Sequence, residues 1–238
     1  FRLCFIGILL LTFCVSNSFA AENNLVLQPD SFAHYIGRFN SMEDENVTNT
    51  IPNAESWKWL RREIPFFECP DRQVEETYYF RWWSFRKHLV LTTNGWVVTE
   101  FLTPVSHAGK YNTISCAAGF HLAEGRWLRD QSYCDDYVLY WLRGNKGQSQ
   151  DNLHKYSQWL DYALWQRWLV TQDTRATTGV LDDLVKDYRK WEADHERPDG
   201  LFWQYDVRDA MEESISGGRK VKNVRPTINS YMYGDAVA

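Results

Sequence analysis

The chain has 238 residues, a formal net charge of −5, 44% hydrophobic residues and an unusually aromatic composition with 12 Trp. That length supports one large core and is short for a two-domain enzyme. The mildly acidic balance, with no basic stripe, argues against nucleic acid as a partner.

Residues 1–20 place Arg2 before an apolar run from Leu3 to Phe13 and end in Ser18-Phe19-Ala20, the pattern of a secretory signal peptide. The run is shorter than the roughly 20 residues that span a bilayer, so the mature protein is expected to be secreted or extracytoplasmic and free of the membrane. The chain starts with Phe1, and Asn229 to Ala238 reads as a helix without a stop signal, so it is expected to be part of a longer protein. Beyond the leader, Cys69, Cys116 and Cys134 allow at most one disulfide, and no CxxC or HxxxH spacing calls for a metal. No cofactor is expected, and Asn46-Val47-Thr48 is a glycosylation sequon.

Residues 21–65 are polar, with the acidic run Glu43-Asp44-Glu45, and read as an irregular N-terminal arm. From Glu75, the recurrence of Tyr78, Tyr79, Trp82, Trp83 and Phe85 predicts a first helix ending near Arg86-Lys87-His88. Residues 90–102 then predict a short β-hairpin turning at Asn94-Gly95. A second helix follows over residues 113–128, with His121 on its packing stripe. A third starts at a capping box formed by Ser132 and Asp135. Trp159, Tyr162, Trp165 and Leu169 predict a fourth over 154–170, and Leu181, Leu184, Val185, Tyr188 and Trp191 a fifth. Helices joined by alternating short turns and long loops indicate an all-α toroid with a hairpin insertion, its barrel portion spanning residues 66–238.

Chemistry concentrates after Arg197-Pro198-Asp199-Gly200 breaks the fifth helix. The following loop gathers Trp203, Asp206, Arg208, Asp209, Glu212 and Glu213, then Arg225, Asn229 and Tyr231 at the start of the next helix. Acids among aromatic residues suit protonation of a glycosidic oxygen, because desolvation and neighbouring like charges keep a carboxyl neutral. On that basis Glu212 is the candidate general acid. Trp203 is a candidate stacking surface for a sugar ring or else a core plug, and Arg225 a clamp for Glu213 or for a substrate carboxylate; in the alternative, Glu213 or Asp206 pairs with Arg208 or Arg225 to hold the loop. Arg81, Glu100, Lys110, Tyr111 and Asn112 lie at helix ends or in loops, where ligand contacts gather; Lys110 and Asn112 could bind sugar hydroxyls.

The loop resembles that of clan-G glycosidases, the six-hairpin group containing trehalases, processing α-glucosidases and mannosylglycerate hydrolases. Gly200-Leu201-Phe202-Trp203 approximates the family's G-L-x-x-W. Arg208-Asp209-Ala210-Met211-Glu212-Glu213-Ser214 overlies E-S-G-M-D-N-S, and Ile228-Asn229-Ser230-Tyr231 overlies the following helix start. The resemblance implies an (α/α)6 barrel, a carbohydrate substrate, inversion at the anomeric carbon and Glu212 at the acid position. It also implies a general base late in the barrel, expected beyond Ala238. Here Glu replaces the family Asp, Ala210 replaces its Gly, and Arg208-Asp209 replaces Glu-Ser. A carbohydrate-binding barrel without catalysis, gripping sugars through Trp203, Lys110 and Arg225, and a polysaccharide lyase remain the alternatives, since fold alone does not fix function. The sequence assigns no oligomeric state.

Overall fold

The computed structural model describes residues 26–211 and 218–238; the signal-peptide reading of residues 1–20 falls outside them. The supposed arm contains two helices, α1 (Ala33–Asn40) and α2 (Ser56–Glu63), which pack on α3 (Arg72–Lys87). Eight-residue helices are marginal alone. These persist because Tyr35, Ile36, Phe39, Trp59 and Leu60 are buried in the main core. Polar neighbours masked that short periodicity in the sequence. The strand of chain between them is held by the far end of α3, where Arg86 donates to Ile51 O (2.5 Å) and Asn53 Oδ1 (2.7 Å) and Lys87 pairs with Glu43.

The predicted hairpin is present as β1 (Leu89–Thr92) and β2 (Gly95–Val98), paired antiparallel with Thr92 opposite Gly95. Its two turn residues are therefore Thr93 and Asn94, and of the Asn94-Gly95 pair only Gly95 takes a positive φ, at 86°. The turn is closed by Thr92 Oγ1, which donates to Gly95 O at 2.8 Å and accepts the Asn94 N–H at 3.0 Å.

Next come α4 (Ser115–Gly125), α5 (Ser132–Arg143), α6 (Leu160–Thr171), the short α7 (Thr174–Thr178) and α8 (Leu181–His195). A small antiparallel pair, β3 (Trp203–Tyr205) and β4 (Lys222–Val224), precedes α9 (Pro226–Val237). Two sequence expectations change. Ser132 is the first residue of α5, and its N–H is taken by Asp130, while Asp136 accepts the Trp96 N–H and Asp135 pairs with Arg167. α6 starts six residues later than expected because Tyr156 is extended and the next two residues have other partners. Ser157 N–H donates to Arg208 O, and Gln158 caps the Leu160 N–H (2.5 Å) while donating to Asp187 (2.8 Å).

The helices form part of an (α/α) toroid. α4 packs on α6 and α6 on α9, each contact skipping the helices between them in sequence. Tyr231 lies beside Trp159, and Gly234 and Asp235 lie beside Tyr162, so α6 and α9 advance in the same direction. α4, α6 and α9 spread apolar residues around their circumference, whereas α5 and α8 are one-sided, the difference expected between enclosed and outward helices. The α4–α6 contact is close: a Cβ at Gly119 would lie 2.5 Å from the Trp159 ring. Among the described residues no helix is long and apolar enough to cross a membrane. Cys69 and Cys134 are free thiols.

Behind this contact lies a buried group of acids. Asp235 on α9 accepts the Tyr162 N–H at 2.9 Å, satisfying a donor in the first turn of α6, and Asp161 Oδ1 has no hydrogen-bond partner. Asp187 pairs with His154 at 2.7 Å. Burial, then the charge of Asp187, pushes Asp235 up to about 8.

Two stability predictions follow from these contacts. Gly119→Ala should lower the unfolding free energy by about 1–3 kcal/mol through overpacking against Trp159, measured by urea denaturation. Because the folded pKa of Asp235 is raised, its protonated form favours the native state, and stability falls as pH climbs from near 4 towards 8. Asp235→Asn keeps an acceptor for the Tyr162 N–H and removes the titration, so its melting midpoint relative to wild type should rise steadily as pH climbs over that interval, as read by thermal denaturation.

Candidate active site

The loop after α8 is built on the β3–β4 pair. Trp203, Gln204 and Tyr205 lie opposite Val224, Asn223 and Lys222, which brings the two stems together just below the acidic segment. Asp206 closes that base. Its carboxylate accepts Arg225 Nε (2.9 Å) and Nη2 (2.8 Å) on its two oxygens and Asn223 Nδ2 at 2.9 Å, and it is shielded from solvent. The Asn223 amide, together with Arg225, holds the Asp206 carboxyl below its ordinary range. Asn229 staples the loop to α9, accepting the Phe202 N–H and donating to Phe202 O and Arg225 O, all within 2.8–2.9 Å.

Beyond this base the chain turns through Val207 to Met211. Ser157 donates its N–H to Arg208 O (3.0 Å) and its hydroxyl to Asp209 Oδ1. Asp209 Oδ2 is buried without a partner. Burial pushes the Asp209 pKa upward against the opposing donors Ser157, Ile228 N–H and Thr227 and the charge of Arg225. Ala210 has φ 58°, a left-handed conformation that favours glycine. This explains a departure noted in the sequence, because the related loop carries Gly at that place. Glu212 and Glu213 lie outside the described residues.

A cleft of about 720 Å³ opens beside this turn, at the N-terminal ends of α4 and α9 and against the segment leading into α6. Arg208, Asp209, Ala210 and Arg219 line it from the loop, Glu100 from the segment after the hairpin, and Cys116, Phe120 and His121 from α4, together with Tyr156 and Tyr231. Glu100 Oε2 lies 3.3 Å from His121 Nε2. Among the described residues no cluster of His, Cys, Asp and Glu could hold a metal ion.

A family model described as "Mannosylglycerate hydrolase MGH1-like glycoside hydrolase domain" matches residues 110–238. The chain belongs to this MGH1-like glycoside hydrolase family. A solved structure named "Sialidase" is 48% identical, with a TM-score of 0.86 over 88% of this chain. The match spans only 19% of that longer relative. The family assignment makes a carbohydrate the expected class of substrate and the cleft the place to look for it.

Of the described candidates from the sequence, Glu100, Arg208, Asp209 and Tyr231 line the cleft of this MGH1-like domain. Asp206, Arg225 and Asn229 hold the loop instead. Trp203 stacks on His195 at 4.5 Å, and the Lys222 ammonium lies 3.9 Å from its ring centroid, so its faces are occupied. Arg81 joins α3 to α4 through Glu124 (2.9 Å), and Lys110 covers Tyr111 in an exposed turn. Asn112, at φ 55°, accepts the Val105 N–H and donates to Phe101 O and Thr103 O, so its amide builds a loop. His121 escaped notice as a cleft residue because it falls on a helical stripe that otherwise packs inward, and Phe120, off that stripe, was not singled out. A polar residue on that stripe beside an exposed aromatic was the available signal.

Replacing Arg225 with Met would leave Asp206 buried without its cation, the costly half of a broken ion pair. Limited trypsinolysis should then cut earliest at Arg208, Arg219 or Lys220, well before sites in the helices. Wild-type digestion kinetics in that segment would show that the pair does not hold the loop.

Proposed function

We propose that this domain hydrolyses an O-glycosidic bond of a small glycoside or of an oligosaccharide end, by inversion, with Glu212 as general acid. The observation that carries the proposal is that Ala210 and Arg219, which bracket the acidic segment, both line an aromatic-walled cleft in a chain of glycoside hydrolase family. An acid there would donate its proton to the departing oxygen while a second carboxylate activates water across the ring, about 6.5–9.5 Å away in an inverting enzyme. That base is assigned to no residue of this chain. The sequence of residues 1–20 supports export of the protein to act on extracytoplasmic carbohydrate.

The non-catalytic alternative loses its sugar-gripping residues, since Trp203, Lys110 and Arg225 have other partners. The sialidase name belongs to a much longer relative and is not carried over to this part.

Glu212→Gln should reduce kcat about 10²- to 10⁴-fold on glycosides with poor leaving groups. The loss should shrink on 2,4-dinitrophenyl glycosides, whose leaving group needs no proton. Proton NMR of the first-formed sugar should show the anomer opposite to that of the substrate. Undiminished activity of Glu212→Gln on alkyl glycosides would remove it from the acid role.

A further inference from the structure

The part of the cleft lined by Glu100, Phe120 and His121 has its own internal order. Glu100 follows Thr99, whose N–H donates to His88 O at 2.8 Å, and its own N–H donates to Asn112 O at 2.9 Å. The Asn112 side chain in turn ties three positions of the same loop. The Glu100 backbone is thus fixed between the hairpin and the start of α4. Its side chain remains partly open to the cleft, and among the described residues its sole side-chain partner is His121.

His121 is oriented from behind. The Thr113 hydroxyl lies 2.9 Å from the Tyr137 hydroxyl, which lies 3.1 Å from His121 Nδ1, and Tyr137 is fully buried. With Tyr137 donating to Nδ1, the imidazole proton sits on Nε2 and points at Glu100 Oε2. One carboxylate oxygen is thereby occupied, and the other is left to accept from a ligand. Next to His121 on α4, Phe120 lines the same cleft with 58% of its surface exposed, its ring edge-on to Trp159 at 5.0 Å. A large apolar side chain left open in a cleft invites an apolar face to cover it.

We infer that Glu100 and Phe120 form a monosaccharide subsite for a neutral sugar. Glu100 accepts its adjacent ring hydroxyls, Phe120 covers its C–H face, and His121 acts as the positioning residue for Glu100. The inference rests on the glycoside hydrolase reading and narrows its substrate. A carboxylate on the ring seated against Glu100 would be repelled by it, so a neutral sugar is favoured over a uronate there, with Arg208 and Arg219 as the other charges lining the cleft. Hydroxyl donors meet a charge-assisted acceptor instead.

Binding tests this without catalysis. Saturation-transfer NMR would be recorded on the protein with D-glucose, D-mannose, D-galactose, D-xylose and L-arabinose, and separately with D-glucuronate and D-galacturonate. At least one neutral sugar should bind wild type, and its affinity should fall about tenfold or more in Glu100→Gln, as expected for loss of a hydrogen bond to a charged group. Phe120→Leu should weaken it similarly. His121→Leu should weaken it too, whereas His121→Gln, which keeps a donor near the Nε2 position, should restore most of the affinity. Unchanged melting midpoints would separate these effects from misfolding, and on a cleaved glycoside the Glu100→Gln change should appear in KM more than in kcat. Three results would each overturn the subsite: no neutral sugar bound by wild type, equal binding by Glu100→Gln, or a uronate bound as well as the neutral sugars. None of these depends on Glu212, so failure of the acid assignment is read independently.

Discussion

Everything chemical in this chain depends on how closely α4, α6 and α9 lie together. Gly119 gives Trp159 room against α4, and Asp235 on α9 accepts the Tyr162 N–H of α6. Because α6 and α9 run the same way and the cleft sits at the starts of α4 and α9, the segments entering these helices are forced to one end. Loops there can be polar and irregular because the packed helices below them carry the stability. The free energy of the core and the chemistry of the cleft are therefore separated along the helix axis.

The loop before α9 shows how a polar segment keeps a defined position without a core of its own. The buried Asp206–Arg225 pair gives little net stability, because desolvation offsets much of the attraction. It does make alternative arrangements of the stems unfavourable, since each would leave a charge unpaired. Asp209 adds a second tie, to Ser157 at the start of α6. The φ of 58° at Ala210 costs roughly 1–2 kcal/mol in a residue with a Cβ. That strain is tolerated where Asp206 accepts the Met211 N–H through its carbonyl (3.0 Å) and the neighbouring donors hold the turn.

Long amphipathic helices were legible in the sequence: α3, α5 and α8 appear close to where the spacing of Trp, Tyr and Leu placed them. The short helices α1 and α2 were not, because one buried face of eight residues looks like scattered anchors until α3 is there to receive it. Asn94-Gly95 identified the hairpin but misplaced its turn by one residue, since glycine can serve either as a turn residue or just after one. In the site, residue type proved a good guide to the neighbourhood and a poor one to the role. Arg225 has the chemistry of a substrate clamp, and Trp203 that of a stacking platform. Each is consumed by a partner: Asp206 for Arg225, a pairing the acidic loop had offered as the alternative to substrate binding, and His195 and Lys222 for Trp203, which its spacing did not reveal.

Two parts of the cleft lining differ in how they are held, and this bears on how a glycosidase divides its work. The Glu100 side is fixed by backbone hydrogen bonds to the hairpin and to Asn112 and by a buried hydroxyl relay behind His121. The loop hangs from the stems at Asp206 and Asp209. Ground-state recognition of a rigid ring is served by a fixed wall, because each hydroxyl contact then forms without ordering the protein. Proton donation requires one group placed over an oxygen whose charge develops only as the bond breaks, and binding energy realised at that stage raises kcat. On the proposed reading, a rigid sugar-binding wall and a loop fastened at its base let those two demands fall on different segments of the chain.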